Sequence, residues 1–239
     1  MRTEQLGGLT VRVTGGTDGR GGGQGPALVL LHGFGAPGDD LVALGDYVEV
    51  PAGTRFVFPE APISIPMGFG DSRAWWMIDM ARIQADRAMG KIRDLSGEVP
   101  RGMPEARERM RLFLGELHKK FGAEPSRTLL GGFSQGAMLS CDALLHSQQP
   151  YAGLVQLSGT LVAKQEWGPL LAKRRGLPVF QSHGTQDPIL AYVMAERLRD
   201  EFAQAGLKVE WMPFRGGHEI PEPVLRQLGH FIKVVLSKS

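Results

Sequence analysis

At 239 residues and 26.0 kDa the chain has the length of one large α/β unit and can bury a sizeable core. Hydrophobic residues at 42% and charged residues at 22% exclude a disordered, collagen-like or membrane-embedded chain. The balance of 27 Lys+Arg against 25 Asp+Glu, with no basic tract, gives no reason to expect a nucleic-acid or anionic-membrane partner. One cysteine, Cys141, excludes an internal disulfide and fits a reducing, cytoplasmic compartment. MRTEQLGGLTVRV at the start has no apolar core of a secretory signal, and no apolar run approaches the roughly 18 residues of a membrane span.

Residues 9–13 alternate like an exposed strand, and Gly15–Gly25 (GGTDGRGGGQG) is expected to be a flexible hairpin loop. PALVLL at 26–31 is a continuous apolar run, the pattern of a strand buried on both faces of a parallel sheet. A helix is expected near 41–48 and a second buried strand at 54–62. Residues 63–103 are irregular, with a short helix somewhere in 80–95. A stretch this long inside a compact unit is expected to cover a site. Residues 104–121 form the clearest helix, opened by Pro104 and closed by Gly122, with apolar residues at steps of three and four. Strands at 127–133, 153–159, 177–184 and 207–214 then alternate with helices at 135–147, 189–205 and 223–236, and a short helix follows 153–159. Such alternation implies an α/β fold with a mostly parallel sheet and helices on both faces, here as one domain over 1–239.

Gly132-Phe133-Ser134-Gln135-Gly136 fits G-x-S-x-G between a strand and a helix. In that context the chain turns sharply at Ser134, and the glycines on either side remove Cβ atoms that would clash. Serine needs a base within hydrogen-bond reach, and on this architecture the order along the chain is Ser, acid, His. Two histidines lie beyond Ser134 near the C-terminus. His230 sits inside the last helix, whereas His218 follows a strand end, the usual location of α/β sites. Seven acids lie between Ser134 and His218, and of these only Asp187 follows closely on a strand end. Its competing reading is a helix cap before Pro188. Ser134, Asp187 and His218 are therefore the expected nucleophile, acid and base.

The oxyanion donors are expected to be the backbone N–H of Gln135 and that of Phe34 in His32-Gly33-Phe34-Gly35, with Gly35 as second choice. His32 and His183 read as structural histidines bonding within their loops, and His118 and His146 as helix-surface residues. The spacing of the six histidines suggests no metal site. No dinucleotide fingerprint or phosphate-loop lysine is present, so no cofactor is expected.

Together, LLHGFGAPGDD (30–40), GGFSQGAM (131–138), SHGTQDPIL (182–190) and FRGGHEIPEPVL (214–225) resemble the phospholipase/carboxylesterase and acyl-protein thioesterase group of α/β-hydrolases. Arg73–Asp79 (RAWWMID) is similar to that group's aromatic motif. The resemblance spans roughly 26–236 and implies an α/β-hydrolase fold. It implies the Ser134, Asp187, His218 triad and the Phe34 and Gln135 oxyanion positions. It further implies hydrolysis of carboxylic esters or thioesters. Residues 80–103 look longer and more polar than the group's equivalent segment.

Met67, Phe69, Trp75, Trp76 and Met77 cluster next to the expected site and are candidates for the substrate pocket. The mixed charges of 80–103 argue against a lipid-seeking cover, which favours small soluble esters with short to medium acyl chains. Trp167 and Trp211 are expected in the core. The apolar content allows a homodimer.

Overall fold

The computed structural model describes residues 1–66 and 71–237. β1 (Arg2–Leu6) and β2 (Leu9–Gly16) form a hairpin joined at Gly7-Gly8, whose φ values of +57° and +77° suit glycine alone. β3 (Arg20–Gly22) pairs with β2, so the glycine-rich stretch expected as a flexible loop is an ordered turn. Asp18 supplies the order: its Oδ1 accepts the N–H groups of Arg20 and Gly22, each at 2.8 Å.

The strands that follow are β4 (Ala27–Leu31), β5 (Arg55–Pro59), a small ribbon of β6 (Ile63–Ser64) with β7 (Arg73–Ala74), then β8 (Thr128–Phe133), β9 (Gly153–Leu157), β10 (Pro178–Gly184) and β11 (Lys208–Phe214). The main sheet runs β1-β2-β5-β4-β8-β9-β10-β11, with β3 beside β2. Neighbours from β5 to β11 are parallel, and only β1, β2 and β5 pair antiparallel. The helices are α1 (Leu44–Tyr47), α2 (Met80–Ala88), α3 (Met103–Phe121), α4 (Gln135–His146), α5 (Lys164–Leu171), α6 (Tyr192–Gln204) and α7 (Glu222–Leu236). This is the mostly parallel α/β-hydrolase architecture that the resemblance implies.

Strand β4 shows why both faces are covered. Ala27, Val29 and Leu31 belong to the core cluster that also holds the apolar residues of α3, α4, α5 and α6, while Leu28 and Leu30 belong to the one that holds those of α7. Each such buried side chain contributes roughly 1.5–3 kcal/mol of gross stabilisation. Helix α7 presents Val224, Leu225, Leu228, Phe231, Ile232 and Val235 at helical spacing, and His230 stays on its exposed side. In α3, Ala106, Met110, Phe113, Leu114 and Leu117 form the matching stripe, and Gly122 ends the helix at φ +56°. Trp167 is fully buried as expected. Trp211 is only half-buried, because β11 is an edge strand, and the Arg199 guanidinium lies 5.4 Å from its ring centre.

The parallel order puts the ends of β4, β8, β10 and β11 on one side of the sheet. The loops leaving those ends carry His32–Ala36, Ser134, Asp187 and His218. Among the described residues, no helix is long and apolar enough to cross a membrane.

Candidate active site

Ser134 sits between β8 and α4 with φ +55° and ψ −116°, a region that L-residues rarely occupy. Its N–H donates to the Leu157 carbonyl at 2.9 Å, which ties the bend to β9. The flanking glycines are required by contact with β4. A Cβ on Gly132 would lie 2.5 Å from the Leu31 carbonyl oxygen, and one on Gly136 would lie 2.1 Å from it. Helix α4 reaches the sheet closely enough to aim the serine only because both side chains are missing.

The Asp187 side chain is fully buried, and that of His218 is 11% exposed. His218 Nδ1 lies 2.6 Å from Asp187 Oδ2. The other oxygen, Oδ1, accepts the N–H groups of Ile189 and Leu190 at 2.8 and 2.9 Å. The capping role and the pairing with His218 thus coexist, one on each oxygen. His183 also faces this carboxylate: its Nε2 is 3.3 Å from Oδ2 and 2.8 Å from the Leu190 carbonyl. Burial works to raise the Asp187 pKa, but hydrogen bonds from His183, His218 and Leu190 outweigh it. They hold the carboxyl well below the usual carboxylate range. His183 thus bonds within its loop, as expected of a structural histidine, and in addition faces the Asp187 carboxylate.

With Nδ1 occupied by Asp187, Nε2 is the His218 nitrogen left for substrate chemistry. The ring packs against Phe133 with centres 4.7 Å apart. Ser134 and His218 line one cavity of about 860 Å³, together with Gly33, Phe34, Met138 and Leu190.

The loop after β4 is fixed by His32. Ala61 N–H donates to its Nε2 at 3.0 Å, so Nδ1 carries the proton and donates to the Gly33 carbonyl at 2.9 Å. Burial lowers the His32 pKa, which keeps the ring neutral. Gly35 N–H donates to the Arg73 carbonyl at 2.8 Å and is therefore already used. The N–H groups of Phe34 and Gln135 have no acceptor among the described residues. The latter opens α4, where no intrahelical partner exists. These are two donors near the serine that no described residue engages.

The Gln135 side chain has a role that the sequence reading missed. Oε1 accepts Trp75 N–H at 2.9 Å, and Nε2 donates to the Trp76 carbonyl at 2.8 Å. The Trp75 indole N–H donates to the His32 carbonyl at 3.0 Å. Trp75 is therefore a buried strut rather than a cavity residue, which corrects the expectation that it lines the pocket. Trp76 and Met77 do line the cavity, Trp76 buried and Met77 57% exposed at the mouth. Met67 and Phe69 lie outside the described residues. Residues of the 77–101 segment, including Ile78, Ile83 and Leu95, line part of the cavity.

The other acids are engaged elsewhere. Asp142 is buried under Arg107, Trp167 and His146, and Glu166 meets the same arginine. His146 is exposed, as expected of a helix-surface residue, and its Nδ1 also lies 3.3 Å from the buried Asp142 carboxylate. His118 likewise bonds the Ala123 carbonyl at 2.5 Å and Tyr151 at 3.2 Å. Among the described residues, no His, Cys, Asp and Glu group is arranged to hold a metal ion.

Comparison with known proteins agrees with this geometry. The family model described as phospholipase/carboxylesterase matches residues 22–236. An acyl-protein thioesterase 1 of Candida albicans is 29% identical over 227 residues, covering 89% of this chain and 93% of the relative. The acyl-protein thioesterase 1 of Kluyveromyces lactis is 30% identical over 175 residues, covering 68% and 70%. Among solved structures, esterase PE8 superposes with a TM-score of 0.78 at 27% identity, covering 95% of this chain and 99% of that one. The chain belongs to the phospholipase/carboxylesterase family.

Proposed function

We propose that the chain is a serine esterase that forms an acyl-enzyme on Ser134. The observation that carries the reading is the 2.6 Å contact of His218 with Asp187 at the wall of the cavity that Ser134 also lines. Ser134 Oγ attacks the ester carbonyl while His218 Nε2 takes its proton. Asp187 keeps the imidazole in the required tautomer and stabilises its positive charge. The carbonyl oxygen becomes an oxyanion against the N–H groups of Phe34 and Gln135, each worth about 2.7–4 kcal/mol in the transition state. Collapse of the tetrahedral intermediate releases the alcohol, which receives its proton from His218. A water molecule then hydrolyses the acyl-enzyme with His218 again as base. Short to medium acyl chains on small esters suit a cavity that mixes apolar and charged side chains. A cytoplasmic location belongs to the same proposal and rests on the unpaired, buried Cys141.

The test is hydrolysis of p-nitrophenyl acetate, butyrate, octanoate and palmitate by the wild type and by Ser134→Ala. Turnover by the wild type and a fall of about 10⁴-fold or more in the variant is the expected result. Equal turnover by both proteins would remove Ser134 from the mechanism. Inactivity of both would remove the esterase reading.

A second reading is hydrolysis of long-chain thioesters, favoured by the acyl-protein thioesterase names of the relatives. The same ester series, repeated with acyl thioesters, separates the two. A maximum at octanoate or palmitate with thioesters preferred supports the second.

A further inference from the structure

The cavity beside Ser134 carries charge, and the charges are not equally engaged. Arg82 pairs with Glu98 at 3.2 Å. Asp79 accepts the backbone N–H of Arg82 at 2.9 Å and so caps α2. Asp40 and Arg101 are exposed. Arg93 differs from all of these. Its side chain is 17% exposed, and among the described residues its nearest carboxylate is Asp86, at 3.9 Å from Nε, beyond hydrogen-bond reach. Asp94, next in sequence, is held by Arg197 at 2.9 Å and by Ser96.

Arg93 also has space around it. It lines the catalytic cavity of about 860 Å³ and two smaller cavities of about 340 and 230 Å³. The last of these also borders Lys91 and Asp187. The ion pair with Asp86 is long and forms no hydrogen bond, so the guanidinium donors stay available to a second, closer anion in the adjoining space. Its five N–H donors lie in a plane that matches a carboxylate edge to edge.

We propose that Arg93 binds a carboxylate at the far end of the substrate. The preferred esters then carry a negative charge remote from the scissile bond. This deepens the esterase reading and rests on it: one end of the substrate is acylated onto Ser134 while the other is held by Arg93. A neutral ester fills the same cavity but leaves the guanidinium with only its 3.9 Å contact to Asp86.

Two substrate pairs test the proposal and separate the two halves of the ester. For the acyl half, p-nitrophenyl hemiglutarate is compared with p-nitrophenyl butyrate. For the alcohol half, 3-(butyryloxy)benzoate is compared with phenyl butyrate. The readout is the kcat/KM ratio of anionic to neutral ester at pH 8, in wild type, Arg93→Gln and Arg93→Lys. At least one pair should favour the anionic ester in the wild type. That ratio should fall about 10- to 100-fold in Arg93→Gln and partly recover in Arg93→Lys. A ratio unchanged by Arg93→Gln, or a preference for the neutral ester in both pairs, overturns the proposal. Calorimetric binding of glutarate to Ser134→Ala, with and without Arg93→Gln, keeps the question separate from catalysis. If the wild type hydrolyses nothing, the esterase reading fails. Glutarate binding that is lost with Arg93→Gln still supports the carboxylate site, and absence of binding to Ser134→Ala overturns it.

Discussion

His183 and His218 meet at one atom, Oδ2 of Asp187, at 3.3 and 2.6 Å. The proton on His183 Nε2 is placed by the Leu190 carbonyl at 2.8 Å, next to the carboxylate at 3.3 Å, and the buried Nδ1 has no partner among the described residues. The Asp187 carboxylate is thus oriented from two rings and two backbone N–H groups. His183→Phe keeps an aromatic ring but removes the donor from both Asp187 and the Leu190 carbonyl. Kinetics on p-nitrophenyl butyrate should show kcat/KM lower by about 10-fold, from the loss of a bond to a charged group. His183→Gln, which restores a donor, should recover part of the loss. Equal activity of His183→Phe and wild type would show that Asp187 needs no second ring.

The Gln135 side chain reaches back about sixty residues to hold Trp75 and Trp76. Gln135→Leu keeps the size and the backbone donor but leaves two buried backbone groups unpaired. Thermal unfolding should show a loss of about 2–6 kcal/mol, at about 1–3 kcal/mol for each of the two buried groups. Activity should fall as well, because Trp76 lines the cavity and the Trp75 indole braces the loop after β4 through the His32 carbonyl. A variant as stable and active as wild type would mean that the aromatic segment holds its place without this clamp.

What was legible in the sequence follows from how local each cause is. ALVLL in β4 reads as a doubly buried strand because both faces of one short run are apolar. The bend at Ser134 is legible because glycines two residues to either side answer a local contact with Leu31. Strand β1 escaped notice because RTEQL is mostly polar, as an edge strand is. The usable signal was Gly7-Gly8 between two runs of strand length. The Gly15–Gly25 stretch misled because glycine content suggests mobility, whereas Asp18 supplies the bonds that order it. The roles of the Gln135 side chain and of Arg93 depend on elements far away in sequence. No spacing rule connects Gln135 to Trp75, or Arg93 to the cavity of Ser134.

Arg107 and Asp142 form a buried pair, with Nε to Oδ2 and NH2 to Oδ1 contacts of 2.5 and 3.0 Å. Asp142 also accepts the Trp167 indole N–H at 2.9 Å, so the pair pins α3 and α5 to α4. Arg107→Leu leaves a buried carboxylate without its main partner. Chemical denaturation should show a loss of about 3–5 kcal/mol. Turnover per folded molecule should stay near wild type, since neither residue lines the catalytic cavity. A large fall in turnover with unchanged stability would mean that Asp142, rather than Asp187, couples to catalysis.

His146 belongs to the same cluster, and its protonation links stability to pH. A hydrogen bond to Asp142 raises the His146 pKa above its ordinary value, against the opposing effects of burial and of the Arg107 charge. A group whose folded pKa is raised binds its proton more tightly in the folded chain. Its stabilisation is therefore complete below the unfolded value of about 6.5 and is lost as pH rises through the folded value. His118 acts in the opposite sense, because burial lowers its pKa, so the pH dependence of the wild type alone mixes the two. The difference in Tm between wild type and His146→Gln isolates one of them. That difference should favour the wild type more at pH 5.5 than at pH 9. A difference independent of pH, or one that grows toward pH 9, would mean that His146 bonds Asp142 as a neutral ring and contributes nothing through its charge.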